Sequence, residues 1–200
     1  MNRKDDCTFC KNNFPDDYQL VTKEPEYWLF LLNRDPQCDY HGLIVLKVEA
    51  IDNLGHISDL GDDRLPDKAM EELGVLLKKA CFSIRSSDPT IERLLTASLN
   101  TGETTHHLHF HLIPKRYNEP VNVVNRPCED GGGMFFLARK EIIVDTFLDF
   151  LKSTTGNTSD KLINDIKEAT INRVTENVKK LRKNFKWNKS PDNNPIQRMR

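Results

Sequence analysis

The chain lacks a long hydrophobic run: its longest uninterrupted apolar stretch is the six residues Tyr27 to Leu32. A membrane-spanning helix needs about 20 such residues, so this segment suits a strand and no membrane partner is expected. No leader is expected either, because Met1-Asn2-Arg3-Lys4-Asp5-Asp6 turns acidic where a secretory signal would turn apolar. Glycine and proline are sparse, 9 and 10 in 200 residues, which excludes collagen-like and most low-complexity classes. Cysteine is few and odd in number, and five thiols do not close into a complete disulfide framework. These absences predict a soluble, cytoplasmic protein.

What is present suffices for one real core, or for a core with an appendage: 200 residues, 38% of them hydrophobic. The net charge of -1 conceals an asymmetry. Residues 1–150 hold 17 Lys+Arg against 25 Asp+Glu, whereas residues 151–200 hold 12 against 5. A basic tail can dock on nucleic acid, on anionic lipid or on its own acidic body, and docking on the body or plain solvation is the expectation.

Patterning predicts an antiparallel α+β body. Tyr18–Val21 and Tyr27–Leu32 read as a hairpin around the turn at 23–26, and Gly42–Leu46 as a third strand. Asn33–Tyr40 is polar, contains Pro36 and reads as a loop. Pro66–Ser86 carries a helical stripe of Met70, Leu73, Leu76, Ala80 and Ile84, with Cys81 as a small core residue. Leu94–Leu99 and His107–Ile113 read as strands. Residues 117–130 read as a loop, Gly131-Gly132-Gly133 as a hinge, Met134–Phe150 and residues 160–185 as helical, and 188–200 as disordered. The expected organisation is a catalytic domain at 1–116, a helical extension at 117–187 and a tail at 188–200.

Four of the six histidines fall within six residues, and from His107 they alternate strictly: His107-Leu108-His109-Phe110-His111-Leu112-Ile113. Successive side chains of a strand point to opposite faces. Leu108, Phe110 and Leu112 then enter a core while the three imidazoles line the other face. On a helix the same three would fan out and could not converge. Three uses remain open: incidental surface histidines, a metal site, or a nucleophile. Neutral imidazole titrates near working pH and attacks phosphorus well.

The run His107 to Ile113 matches, at every position, the His-φ-His-φ-His-φ-φ signature (φ apolar), and the chain here resembles the histidine triad (HIT) family of nucleotide hydrolases and transferases. Asn33-Arg34-Asp35-Pro36 followed by His41-Gly42 is similar to the nucleoside-binding hairpin of the fragile-histidine-triad branch. Cys7-Thr8-Phe9-Cys10 is similar to the N-terminal Cys-x-Phe-Cys of zinc-containing bacterial members. The resemblance covers about residues 7–116 and implies a HIT-like α+β fold.

It also implies roles. His109 would attack the α-phosphorus and form a nucleotidyl-histidine that water resolves. The carbonyl of His107 would fix the His109 tautomer, His111 would contact phosphate or leaving group, and His41 would stand behind the triad. Asn33 would hold the ribose, and Thr104 the phosphate. Glu103 stands where many members carry Gln, which alters the phosphate pocket. The loop through Gly102 is shorter than in many relatives, and Asn100 is counted with Thr104 and Glu103 on the substrate side. Histidine at 111, where the uridylyltransferase branch has Gln, favours a hydrolase.

Cys7 and Cys10 are the two-residue half of a zinc site, a spacing shared with redox pairs. The resemblance implies a structural zinc with His107 as third ligand and His56, the nearest histidine after the third strand, as fourth. The expected activity releases a nucleoside monophosphate from dinucleoside polyphosphates or nucleoside phosphoramidates. The alternatives are an aprataxin-like DNA-end processing hydrolase using the basic tail, and a non-catalytic nucleotide sensor. The family commonly forms homodimers, and one is expected here. Lys115-Arg116, at the end of the triad strand, read as a solvated strand end or as positive potential for phosphate.

Overall fold

The computed structural model describes residues 7–10, 14–34, 36, 38–48, 57–98, 107–117, 122–127, 133–138 and 160–187. Seven strands and two long helices lie among them: β1 (Leu20–Thr22), β2 (Trp28–Leu32), β3 (Gly42–Leu46), α1 (Asp67–Ser87), β4 (Ile91–Ala97), β5 (His109–Arg116), β6 (Asn122–Pro127), β7 (Gly133–Ala138) and α2 (Asp160–Asn184). A 3-10 turn, Thr8–Cys10, precedes them. The first five strands form one antiparallel sheet in the order β1-β2-β3-β5-β4, and β6 pairs with β7 as a separate antiparallel ribbon.

The period-two pattern sorts the sheet into two faces. Trp28, Phe30, Leu32, Ile44, Leu46, Leu108, Phe110 and Leu112 enter the main core beneath α1 and α2. Leu31, Leu43 and Val45 point the other way and form a smaller apolar cluster with Phe9, Phe14 and Leu29. On that second face the register sets His109 opposite Val45 and His111 opposite Leu43.

Helix α1 follows Pro66, whose extended backbone suits a helix entrance, and carries Asp67 in its first turn. Its buried stripe is Ala69, Leu73, Leu76, Ala80, Ser83 and Ile84, spaced by threes and fours. Trp28 Nε1–H donates to the Ala69 carbonyl at 2.7 Å, joining sheet to helix. Glu72 accepts the backbone amides of Glu26 and Tyr27 at 2.7 Å each, capping the β1–β2 turn. Helix α2 docks on the acidic body. Val174, Val178 and Leu181 are buried in the main core, and Ser83 Oγ–H donates to the Leu181 carbonyl at 3.3 Å. Arg182 donates to the Leu20 carbonyl at 2.6 Å.

Several sequence expectations need correction. Met134–Ala138 is not helical but forms β7, and 122–127, expected as loop, forms its partner β6. Met134-Phe135-Phe136-Leu137 is a continuous apolar run without helical gaps, which suits a short strand equally well. Gly133 opens β7 rather than a hinge; Gly131, Gly132, Cys128, and residues 139–159 and 188–200 lie outside the described residues. Strand β4 begins at Ile91, three residues earlier than expected, because Asp88 accepts the Thr90 amide at 3.0 Å and closes the turn before it. Met70 lies outside the buried stripe, where Ala69 takes its place. His107 and Leu108 precede the ladder of β5, which starts at His109. No helix among the described residues is long and apolar enough to cross a membrane.

Candidate active site

Strand β5 lies between β3 and β4, so its side chains are fixed by ladders on both sides. Leu108 and Leu112 are fully buried in the main core, and Phe110 packs edge-on against Trp28 with ring centroids 6.0 Å apart. A one-residue slip would expel these three, so the burial of one face sets the imidazoles on the other.

The histidines form a continuous chain of hydrogen bonds. His109 Nδ1 lies 2.6 Å from the carbonyl oxygen of His107. A carbonyl only accepts, so Nδ1 carries the proton and Nε2 presents its lone pair. His109 Nε2 lies 3.2 Å from His111 Nε2, which must then be the donor. His111 Nδ1 therefore accepts, and lies 2.9 Å from His41 Nε2. His41 Nδ1 is left to accept from Asn33 Nδ2 at 3.4 Å. Donor–acceptor matching thus gives one consistent polarity running from Asn33 through His41 and His111 to His109, ending on a backbone carbonyl. Burial lowers the pKa of His109 against the opposing hydrogen bond to His107. Burial, and then the neighbouring His109, push His111 down to about 4. Both rings are neutral near pH 7, the form in which imidazole is a nucleophile.

His107 faces a second task. Its Nε2–H donates to the Leu46 carbonyl at 2.6 Å, and its Nδ1 lies 3.3 Å from Cys10 Sγ. The unprotonated ring nitrogen is therefore turned toward the Cys10 thiol. Cys7 Sγ, Cys10 Sγ and a His107 ring nitrogen all lie within 4.8 Å of one another, and Cys7 and His107 are buried. Two thiols and an imidazole whose other N–H is anchored on a carbonyl are a donor set suited to zinc. The same turn sets Phe9 edge-on against both His107 and His109, with centroids 5.7 and 5.0 Å away, and Phe14 packs behind it at 4.8 Å. Sequence reasoning missed this aromatic wall; the Phe inside the Cys-x-Phe-Cys turn was its only signal.

Of the sequence-predicted residues, the structure brings together Asn33, His41, His107, His109, His111, Cys7 and Cys10. His56, Asn100, Glu103 and Thr104 lie outside the described residues. Lys115 and Arg116 pair with acids: Lys115 with Glu92 at 3.4 Å, Arg116 with Asp88 at 3.0 Å.

A model of the HIT domain matches residues 15–118, more than half of the chain and inclusive of His41 and the triad strand. The chain belongs to the HIT family. Among solved structures it resembles a zinc-bound histidine triad family protein from Mycobacterium smegmatis at 21% identity and a TM-score of 0.46, over 64% of this chain and 87% of that one. It also resembles a hypothetical histidine triad nucleotide-binding protein from Sulfolobus tokodaii strain 7 at 18% identity and a TM-score of 0.47, over 91% of this chain and 100% of that one. A third match, at 15% identity and a TM-score of 0.40, is the NitFhit protein of C. elegans, over 78% of this chain and 27% of that one. No curated protein matches the sequence.

Proposed function

We propose that this HIT protein is a nucleotide hydrolase that acts at an α-phosphate through His109. The observation that carries the reading is the locked tautomer: the bond from His109 Nδ1–H to the His107 carbonyl leaves Nε2 unprotonated, facing His111 on the triad side of the sheet. In the first step Nε2 forms a bond to the α-phosphorus, and the leaving phosphate departs with its electron pair. The ring becomes cationic, with Nδ1–H still held by the carbonyl. His111 Nε2–H, which points at His109 without substrate, turns its hydrogen bond to the departing oxygen. Water then attacks phosphorus, the Nε2–P bond breaks to restore the neutral ring, and one water proton passes to solvent. The product is a nucleoside monophosphate; dinucleoside polyphosphates fit the scheme as it stands, and nucleoside phosphoramidates fit when the leaving nitrogen takes up a proton, which the later attack of water returns to solvent.

Asn33 is proposed to hold the ribose through its side-chain amide, which sits beside His41 with Nδ2 at 3.4 Å from Nδ1. Leu29, partly exposed at the edge of the buried cluster of Leu31, Leu43 and Val45, is proposed to meet the base. Thr104, Glu103 and Asn100 are proposed on the phosphate side from the family pattern. Cys7, Cys10, His107 and His56 are proposed to hold a structural zinc that ties the N-terminal turn to the triad strand. His56 directly precedes Ile57, whose carbonyl accepts the Leu108 amide at 2.8 Å. The catalytic unit is proposed to span 1–116, with 117–187 an extension packed onto it. A cytoplasmic site is also proposed, in keeping with Cys7, Cys10, Cys38 and Cys81, which form no disulfide among the described residues. A homodimer is also proposed, which would cover exposed apolar residues of α1 such as Val75 and Phe82.

His109→Asn tests the mechanism. Turnover of a dinucleoside polyphosphate should fall by several orders of magnitude with the melting temperature retained. Acid-labile nucleotide should be trapped on the wild type alone. Near-normal turnover by the folded variant would overturn the assignment.

A further inference from the structure

The loop between β2 and β3 carries two of the groups that make the relay, Asn33 and His41, and it is held from outside the sheet. Its closing bonds are short-range: the Asn33 amide donates to the His41 carbonyl at 2.8 Å, and the His41 amide to the Cys38 carbonyl at 3.2 Å. Between them Tyr40 has a φ of 63°, in the left-handed region that a non-glycine residue occupies only when its surroundings require it. Those surroundings are specific. Tyr40 is buried, with its hydroxyl 3.5 Å from the Ser87 carbonyl at the end of α1.

Asp39, next to it, receives a two-pronged bond from Arg173 of α2, Nε to Oδ1 at 2.5 Å and a terminal nitrogen to Oδ2 at 2.8 Å. Asn177, one turn further along α2 and mostly buried, donates to Oδ1 at 3.0 Å. Arg116, at the end of β5, lies 3.6 Å from Oδ2 and is itself held by Asp88 at 3.0 Å. One carboxylate thus joins α2, the triad strand and the end of α1. The backbone it fixes is two residues from His41, whose ring orients His111.

We infer that α2 is a brace for the substrate loop, with Arg173 and Asn177 as positioning residues that act through Asp39 on His41 and Asn33. The inference rests on the proposed function for its kinetic readout and not for its structural one. Fixing the loop in advance raises the fraction of molecules competent to bind, and apparent affinity scales with that fraction. Losing the brace therefore weakens nucleotide binding more than it slows the bound complex. Arg173 is half exposed at the surface, so its replacement removes the clamp without opening the core.

The test compares the full-length wild type with Arg173→Ala, Arg173→Lys and Asp39→Asn. Amide hydrogen exchange is read at Asn33 and His41 against Ile44 in the sheet. The alanine and asparagine variants should exchange at least tenfold faster at the loop with Ile44 unchanged, and Arg173→Lys should fall between. With a dinucleoside polyphosphate, KM should rise at least fivefold while kcat stays within twofold. Unchanged loop exchange overturns the inference, as does faster exchange that extends equally to Ile44. Faster loop exchange with unchanged KM overturns it too, because the clamp would then be structural only. A wild type that binds and turns over no nucleotide refutes the proposed function instead, and the exchange comparison still decides the brace.

Discussion

His41 decides which ring nitrogen of His111 holds a proton, and that consequence can be measured. The His41 side chain is 1% exposed and sits between Asn33 and His111. Replacing it with Phe keeps a ring in the space and removes both nitrogens. His111 Nδ1 then loses its donor in a buried site, which costs about 1–3 kcal/mol if nothing replaces it. The ring can escape by moving its proton to Nδ1. That places two lone pairs, His111 Nε2 and His109 Nε2, face to face at the 3.2 Å now spanned by a hydrogen bond. In that tautomer the donor aimed at the leaving group is lost, and in the other the His111 ring is no longer held in place by His41. Taking about 2 kcal/mol, the rate of His109 nucleotidylation should fall roughly 30-fold. His41→Gln, whose amide can still donate, should recover part of that loss. The assay is single-turnover labelling of His109, paired with nitrogen NMR of the His111 tautomer. A His41→Phe protein that labels within twofold of wild type, with His111 still protonated on Nε2, would refute the relay.

The remaining predictions concern stability and metal. His111 has a folded pKa of about 4 against an ordinary 6.5, so the unfolded chain takes up its proton first. Stability from this group is intact above about pH 6.5 and declines as pH falls toward 4, by about 1.4 kcal/mol per pH unit and about 3 kcal/mol at most. Thermal melts from pH 7 to 4.5 should show a shallower decline in His111→Gln; equal slopes would refute it. Leu181→Ala removes a fully buried side chain from α2, at a cost of about 3 kcal/mol and roughly 6–12 °C in melting temperature. A separate early transition would show instead that α2 unfolds as its own unit. Elemental analysis should find about one zinc per chain, lost in Cys7→Ser and Cys10→Ser, with melting lowered by roughly 5–10 °C. Metal-free wild type with freely reactive thiols would refute the site.

How much of this was legible in the sequence depends on the range of the contacts. The triad strand was readable because period two holds in both registers at once, apolar at Leu108, Phe110 and Leu112 and imidazole between them. The α1 stripe was readable for the same kind of reason. Its error at Met70 is a rotation of one residue, from Met70 to Ala69. The failure at Met134–Ala138 has a different origin. Five apolar residues in a row carry no period, so a helix continuing to Phe150 and a strand fitted equally, and pairing with β6 settled it. Asp39 was not legible at all. Its partners Arg173 and Asn177 stand 134 and 138 residues away, and no spacing rule reaches that far.

The same contrast explains how one short strand serves three ends. Its apolar residues are held by the core, and the His109 tautomer by a carbonyl two residues back in the same segment. Everything needed to leave Nε2 unprotonated is therefore local and can be carried by a seven-residue motif. The polarity of the relay is not local. The His111 proton that faces His109 is backed at Nδ1 by His41, which belongs to a loop whose Asp39 is held by the far end of the chain. A triad strand without that loop would keep its nucleophile and lose the definite direction of its hydrogen bonds. The docking of the basic tail on the acidic body, expected from the charge asymmetry, accordingly has specific partners. Arg173 and Arg182 are engaged by the acidic body, at Asp39 and at the carbonyl of Leu20, so part of the tail's positive charge is committed to the fold. That commitment counts against the DNA-end reading, which would need those arginines on phosphates.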